Sequence, residues 1–184
     1  MSTAPDSSVL ENDRVPQHRL FFALWPDAAL RDGIAAIALQ LDQAHAPGGR
    51  RLDPSRYHLT LAFLGDVELS AASTAGNAVH AAGFDLRLER VDTFPGNRIL
   101  WLGMDGIPAG LSALTTTLAN ALARVGVHIR DAGEFVPHVT LQRGIRRPVA
   151  AASTAPLRWH VRDFVLVDSI DGAYRVIGRW PLVH

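Results

Sequence analysis

The chain has 184 residues, and its 18 basic side chains are balanced by 18 acidic ones. A neutral chain does not suggest a broad surface that coats nucleic acid, which usually carries a basic excess, but a local phosphate site stays open. Cysteine is absent, which excludes disulfides, thiolate zinc sites and cysteine nucleophiles.

The N-terminal residues 1–17 are polar and lack the basic and apolar regions of a signal peptide. We expect a disordered leader there, followed by a single bilobal domain over residues 18–184. No apolar run approaches the length of a membrane span. We therefore expect a cytoplasmic protein without membrane contact, acting as a monomer.

In the first half, apolar runs and helical stripes alternate, with Pro and Gly as stops. The patterns predict a strand over 20–25, a helix that opens at 26–27 and runs to 41, a strand over 57–64, a helix over 68–82 and a strand over 84–91.

The second half restarts the same pattern. It predicts a strand over 99–104, a helix over 111–125 and strands over 136–141, 159–167 and 173–182. His58 and His138 lie 80 positions apart, and so do Leu20 and Leu100 in the two opening strands. This spacing indicates a duplicated strand–helix–strand unit whose equivalent strands meet at a pseudo-two-fold axis.

Each half carries a His-x-Thr motif on its second strand, at His58-Leu-Thr60 and His138-Val-Thr140. Alternate residues of a strand point to the same face. The predicted site face therefore carries His58, Thr60 and Ala62 in one half and His138, Thr140 and Gln142 in the other. The opposite, core-facing side carries Leu59, Leu61, Phe63, Val139 and Leu141.

Two imidazoles and two hydroxyls suit phosphodiester hydrolysis. One histidine can activate the nucleophile while the other protonates the leaving oxygen, because the unperturbed pKa of histidine lies near 6.5. Threonine hydroxyls can donate to the non-bridging oxygens as charge builds on them. This chemistry needs no metal, and the sequence shows no carboxylate cluster at magnesium-ligand spacing.

Four segments together resemble the 2H phosphoesterase superfamily, and within it the bacterial RNA 2′,3′-cyclic phosphodiesterases, also called 2′-5′ RNA ligases. They are HLTLAFLG at 58–65, PHVTLQR at 137–143, RLFFALWP at 19–26 and ILWLG at 99–103. The resemblance covers about residues 19–182. It implies an α+β fold of two duplicated lobes, with mainly antiparallel sheets lining a central cleft and helices outside.

The resemblance also implies a reaction without a cofactor: opening a terminal RNA 2′,3′-cyclic phosphate to a 2′-phosphomonoester, with 2′-5′ ligation as the reverse. His58 would be the proton donor and His138 the proton acceptor. Thr60, Thr140 and Arg143 would bind the substrate phosphate, Arg143 only if a bulge or strand end turns it to the site face. The stretch 144–158 lacks the helix that the family often has there.

Several alternatives stay open. The chain could act on other cyclic nucleotides or 2′-5′ phosphodiesters, bind RNA ends without catalysis, or be a histidine-based metal hydrolase. A dinucleotide-binding oxidoreductase is disfavoured because no Gly-rich fingerprint follows the first strand. Trp25, Trp101 and Tyr57 could stack on a base, but core packing is the better explanation for the two tryptophans. Arg143 could equally be a surface arginine.

Overall fold

The computed structural model describes residues 18–94, 96–130 and 135–183. The leader predicted over 1–17 lies outside these residues, and the division into a leader and one domain stays a prediction.

The described residues form nine strands, three α-helices and one 3₁₀ turn, Pro54–Arg56. In chain order they are β1 (His18–Leu24), α1 (Ala28–His45), β2 (Arg50–Arg51), β3 (Leu59–Gly65), α2 (Leu69–Asn77), β4 (Phe84–Phe94), β5 (Ile99–Gly103), α3 (Ala109–Arg124), β6 (His138–Arg143), β7 (Ala152–Val161), β8 (Asp163–Ile170) and β9 (Ala173–Pro181).

These strands build one continuous sheet in the order β7-β4-β5-β6-β3-β1-β8-β9, and β2 pairs with β6. Every pair of neighbouring strands is antiparallel. The two motif strands, β3 and β6, lie side by side at the centre, and each half of the sheet spreads outward from them. The predicted α+β fold with duplicated halves is confirmed, with a single sheet running through both.

The helices pack against one face of the sheet. α1 begins at the N-cap Asp27, whose carboxylate accepts a 2.8 Å hydrogen bond from the Leu30 N–H, and it buries Ile34, Ile37 and Ala38. The main core lies on this side. On the opposite face, which we call the cleft face, a second buried cluster consists of Phe21, Ala23, Val165 and Val167.

The strand predicted over 159–167 is wrong as a single element. The chain breaks at Arg162, so that β7 pairs with β4 in one half of the sheet and β8 pairs with β1 in the other. The apolar pattern runs on through this crossing, and no Gly or Pro marks it. The stretch 144–158 forms no helix, as expected from its sequence: residues 144–151 have no regular structure, and 152–158 belong to β7.

The predicted offset of 80 holds for the motif strands but not for the opening strands. Phe22 of β1 lies opposite Ala62, whereas Leu100 of β5 lies opposite Gln142. The position equivalent to Leu100 is therefore Phe22, not Leu20. A slip of two residues keeps every side chain on its own face, so the hydrophobic pattern cannot distinguish the two registers.

Candidate active site

The two motifs meet at the centre of the sheet. Leu59 of β3 lies directly opposite Val139 of β6, and these are the same position in the two motifs. In an antiparallel pair the flanking residues then cross, so His58 neighbours Thr140 and His138 neighbours Thr60. The predicted histidines and threonines are thus brought together on the cleft face.

Each imidazole is held by the backbone carbonyl of the residue two positions before it. Nδ1 of His58 lies 2.7 Å from the Arg56 carbonyl oxygen, and Nδ1 of His138 lies 2.7 Å from the Val136 carbonyl oxygen. A carbonyl oxygen can only accept, so each Nδ1 donates its proton and each neutral ring keeps its lone pair on Nε2. Both histidines therefore offer Nε2 for proton transfer.

Aromatic rings surround His58. Trp25 stacks on it with 5.7 Å between centroids and 13° between planes, Tyr174 meets it edge-on at 5.2 Å, and Phe21 lies at 5.0 Å. The guanidinium of Arg56 lies 4.5 Å from the centroid of the Tyr174 ring. His58 is thereby held in an aromatic pocket next to a cation.

The surroundings of His138 are simpler. Phe94 meets it edge-on at 5.0 Å, and Trp101 lies at 6.0 Å with a tilted ring. No tryptophan stacks face to face on this imidazole among the described residues.

Burial and positive charge both favour the neutral form of the two imidazoles. Burial lowers the pKa of His58 to about 4, against the opposing effect of the Arg56 carbonyl, and the charges of Arg143, His138 and Arg56 lower it further. Burial lowers the pKa of His138 as well, by less, and Arg143 adds to this effect. Arg143 is thus close enough to act electrostatically on both histidines.

The two threonine hydroxyls are unengaged. Thr60 is half-buried and Thr140 is buried, and neither hydroxyl hydrogen-bonds to another group in the part of the chain that the structure describes. Both remain able to donate to a ligand in the cleft.

A bulge corrects the predicted faces of the first motif. The pairing of β1 with β3 skips Leu61, because Phe22 lies opposite Ala62 and Ala23 lies opposite Thr60. Beyond this bulge the alternation is inverted. Ala62, predicted beside the histidine, is 3% exposed in the main core, whereas Phe63, predicted in that core, packs on the cleft-face cluster.

An equivalent bulge in β6 corrects the second motif. The pairing with β5 skips Leu141, because Leu100 lies opposite Gln142 and Trp101 lies opposite Thr140. Gln142, predicted on the site face, instead donates to the Asp42 carboxylate at 3.1 Å and the Gly48 carbonyl at 3.0 Å.

The same bulge turns Arg143 back to the cleft face, which is the condition that its predicted role required. No local sequence signal marks either bulge, although both occupy the same place in the repeat.

Core packing, predicted for the two tryptophans, is confirmed for Trp101, which is 5% exposed, whereas Trp25 is only partly buried and packs against the cleft-face cluster. Tyr57 is buried in the main core. Yet both tryptophans contact a histidine of the site, which the sequence did not indicate. Sequence reasoning also missed the aromatic neighbours Phe21, Phe94 and Tyr174, together with Arg56. Only Arg56 carries a signal, because it lies two residues before a motif.

The described residues contain no group of three or more His, Cys, Asp or Glu side chains placed to hold a metal ion. Within the same residues, no helix has the length and apolar character needed to cross a membrane.

Known proteins resemble this chain over most of its length. The model of the 2′-5′ RNA ligase superfamily matches residues 25–173. The RNA 2′,3′-cyclic phosphodiesterase of Escherichia coli is 35% identical over 177 residues, which cover 90% of this chain and 97% of the relative. The enzyme of the same name from Archaeoglobus fulgidus is 28% identical and covers 83% of this chain and 91% of its own.

Solved structures show the same likeness. The crystal structure of E. coli LigT complexed with 3′-AMP superimposes with a TM-score of 0.78 at 31% identity, covering 92% of this chain and 99% of that one. LigT complexed with phosphate covers the same shares with a TM-score of 0.72, also at 31% identity.

Proposed function

The chain belongs to the 2′-5′ RNA ligase superfamily, and on that premise we propose that it hydrolyses the 2′,3′-cyclic phosphate at an RNA end to a 2′-phosphomonoester. The observation that carries this proposal is the matched pair of imidazoles, which lie on the same face of the sheet, each fixed through Nδ1 with Nε2 left for proton transfer. Such a pair can take one proton and give another in a single displacement.

The step balances with these two groups. Nε2 of His138 takes a proton from water as its oxygen attacks phosphorus, and the P–O3′ bond breaks. His58 gives its Nε2 proton to O3′, which leaves a 3′-hydroxyl and a 2′-phosphomonoester. Attack and departure need groups on opposite sides of phosphorus, and the pairing of Leu59 with Val139 supports this because it sets the histidines on either side of the pseudo-axis.

The remaining site residues serve the phosphate. We assign Thr60 and Thr140 as donors to its non-bridging oxygens, which their unengaged hydroxyls support. We assign Arg143 as the cation that neutralises the charge there, since its own charge acts on both histidines. If the 5′-hydroxyl of a second RNA takes the place of water as the nucleophile, the same two histidines join the ends through a 2′-5′ phosphodiester. This ligation is minor because water is abundant.

The acid must carry a proton when substrate is bound. With both pKa values lowered, both imidazoles are neutral at pH 7 before an anionic substrate binds. A bound anionic phosphate favours the imidazolium form and raises the pKa of a neighbouring histidine. The protein surroundings lower the pKa of His58 more than that of His138. The role of His58 as donor therefore depends on the bound phosphate raising the pKa of His58 more than that of His138.

The proposed activity is tested with an RNA oligonucleotide that ends in a 2′,3′-cyclic phosphate. We expect a 2′-phosphate product, identified by ³¹P NMR, with an unchanged rate in the presence of a chelator. Binding without product would instead establish a non-catalytic RNA-end module. Loss of activity with chelator, restored by a metal, would establish the metal hydrolase.

The acid and base assignments are tested with a substrate whose 3′ oxygen is replaced by sulfur, a leaving atom that needs no protonation. If His58 is the donor, the His58→Ala variant regains most of its lost rate on this substrate, whereas His138→Ala does not. Recovery by His138→Ala alone would reverse the two roles.

Action on RNA ends or small cyclic nucleotides as a cytoplasmic monomer is part of the same proposal. The oligomeric state is checked by light scattering of the purified protein at several concentrations.

A further inference from the structure

Positive charge is concentrated at one end of the central β3–β6 ladder. Because the strands are antiparallel, Arg143 lies at the same end as His58, and Arg56 precedes His58 at that end too. The equivalent positions at the other end hold Phe63 and Val136. We call the arginine-bearing side the His58 end.

A third arginine, Arg50 of β2, also lies at the His58 end. Arg50 lies directly opposite Arg143, so the two side chains share the cleft face. Gly49 holds the two backbones in this close contact, since it has φ +83° and an added Cβ would lie 2.5 Å from the Arg143 carbonyl oxygen.

The carboxylate of Asp53 accepts its hydrogen bonds from Ser55, which lower its pKa the most, and the charge of Arg56 adds to this effect. In the described part of the chain, neither Arg50, Arg56 nor Arg143 forms an ion pair. Nε of Arg56 is buried without a hydrogen-bond partner. Cations gathered at one end of a sheet without an ion-pair partner favour an anionic ligand.

A second pair of facing arginines makes the contrast. Arg87 and Arg158 lie opposite each other across β4 and β7, but Arg87 donates to the Glu89 carboxylate at 2.7 Å. Like charges that face each other in a sheet are unfavourable. The Glu89 carboxylate relieves that repulsion for Arg87, whereas Arg50 and Arg143 have no ion pair of this kind among the described residues.

The cyclic phosphate accounts for one negative charge, and the proposed function assigns Arg143 to it. The ribose lies on the side of His58 if His58 protonates O3′, and the 5′ phosphate is attached to that same ribose. We propose that Arg50 and Arg56 bind the phosphate on the 5′ side of the terminal nucleotide, so that the site recognises a nucleotide with phosphates at both ends. This inference rests on the proposed function for its orientation.

The experiment compares three substrates: adenosine 2′,3′-cyclic phosphate, the same compound with a 5′-phosphate, and the dinucleotide ApA ending in a 2′,3′-cyclic phosphate. We expect kcat/KM to be at least about tenfold higher for the last two, the effect of one charge-assisted hydrogen bond or more. A gain restricted to the dinucleotide would assign the contact to the upstream nucleoside and overturn the proposal.

Variants locate the contact. Arg50→Gln and Arg56→Gln should lose most of this preference, chiefly through KM. Arg130→Gln is the matched control, since Arg130 is the equivalent of Arg50 at the other end, where it lies opposite Phe63. An equal loss in Arg130→Gln would show a diffuse charge effect and contradict the proposal.

A binding measurement separates this inference from the proposed activity. By calorimetry, the wild-type protein should bind adenosine 2′,5′-bisphosphate about tenfold more tightly than adenosine 2′-phosphate, and Arg50→Gln should abolish the difference. This result does not require turnover, so it can hold if hydrolysis fails. Equal affinities in the wild-type protein would refute the 5′-phosphate contact even if hydrolysis is observed.

Discussion

His58 and His138 hold equivalent places in a duplicated unit, and both donate Nδ1–H to the carbonyl two residues before them. Their surroundings nevertheless differ. His58 has three aromatic neighbours and a cation beside them, whereas His138 has two aromatic neighbours. The backbone contact that the two histidines share fixes the position of both imidazoles, and their different neighbouring side chains can give them different proton affinities. A displacement needs an acid and a base in fixed positions, so it requires both the equivalent placement and the different proton affinities.

Replacing either histidine is the strongest test that the two halves act together. We expect His58→Ala and His138→Ala each to lower kcat by about 10²- to 10⁴-fold, because each removes one of the two proton transfers. The double variant should be little worse than the worse single variant, since the groups act as a unit. His128→Ala, at an exposed histidine outside the site, is the control, and near-normal activity in either site variant would contradict the mechanism.

The burial of His58 should also appear in the stability of the protein. Its pKa is about 4 when folded and near 6.5 when unfolded, so the unfolded state binds more protons between these values. The free energy of unfolding should therefore fall as the pH drops from 6.5 to 4, with about 3 kcal/mol due to His58. Urea titrations at both pH values measure this loss.

The loss should be smaller in His58→Ala than in the wild-type protein, and His138→Ala should remove less of it. Identical pH dependence in the wild-type protein and His58→Ala would show that His58 is not held neutral.

Replacing each threonine tests whether the two halves of the sheet contribute equally to binding the phosphate. Thr60→Val and Thr140→Val remove one hydroxyl each with little change of shape, and we expect kcat/KM to fall about tenfold in each case. Steady-state kinetics on a cyclic-phosphate RNA end measure both. A large effect in one variant with none in the other would mean that the phosphate lies on one side of the pseudo-axis.

Periodicity predicted the element types and the meeting of the motifs because burial imposes those patterns directly. It failed for Ala62, Phe63 and Gln142, because one skipped residue inverts the faces and leaves the composition unchanged. It also failed for Tyr174 and Arg56, which reach His58 from elements distant in sequence or across a turn. Such contacts depend on sheet order, which local patterns do not contain.

The smallest expected effect isolates the cause of the asymmetry. Trp25 stacks on His58. In the other half, the position equivalent to Trp25 is Gly103, because Phe22 of β1 is equivalent to Leu100 of β5. Trp25→Leu should admit water to His58, weaken the burial that lowers its pKa, and raise that pKa by less than about one unit. NMR titration of the imidazole carbon protons follows both histidines at once, with His138 as the internal control. If both pKa values rise together, Trp25 acts on the whole cleft; if His58 alone rises, the stacked ring is one source of the difference between the two halves.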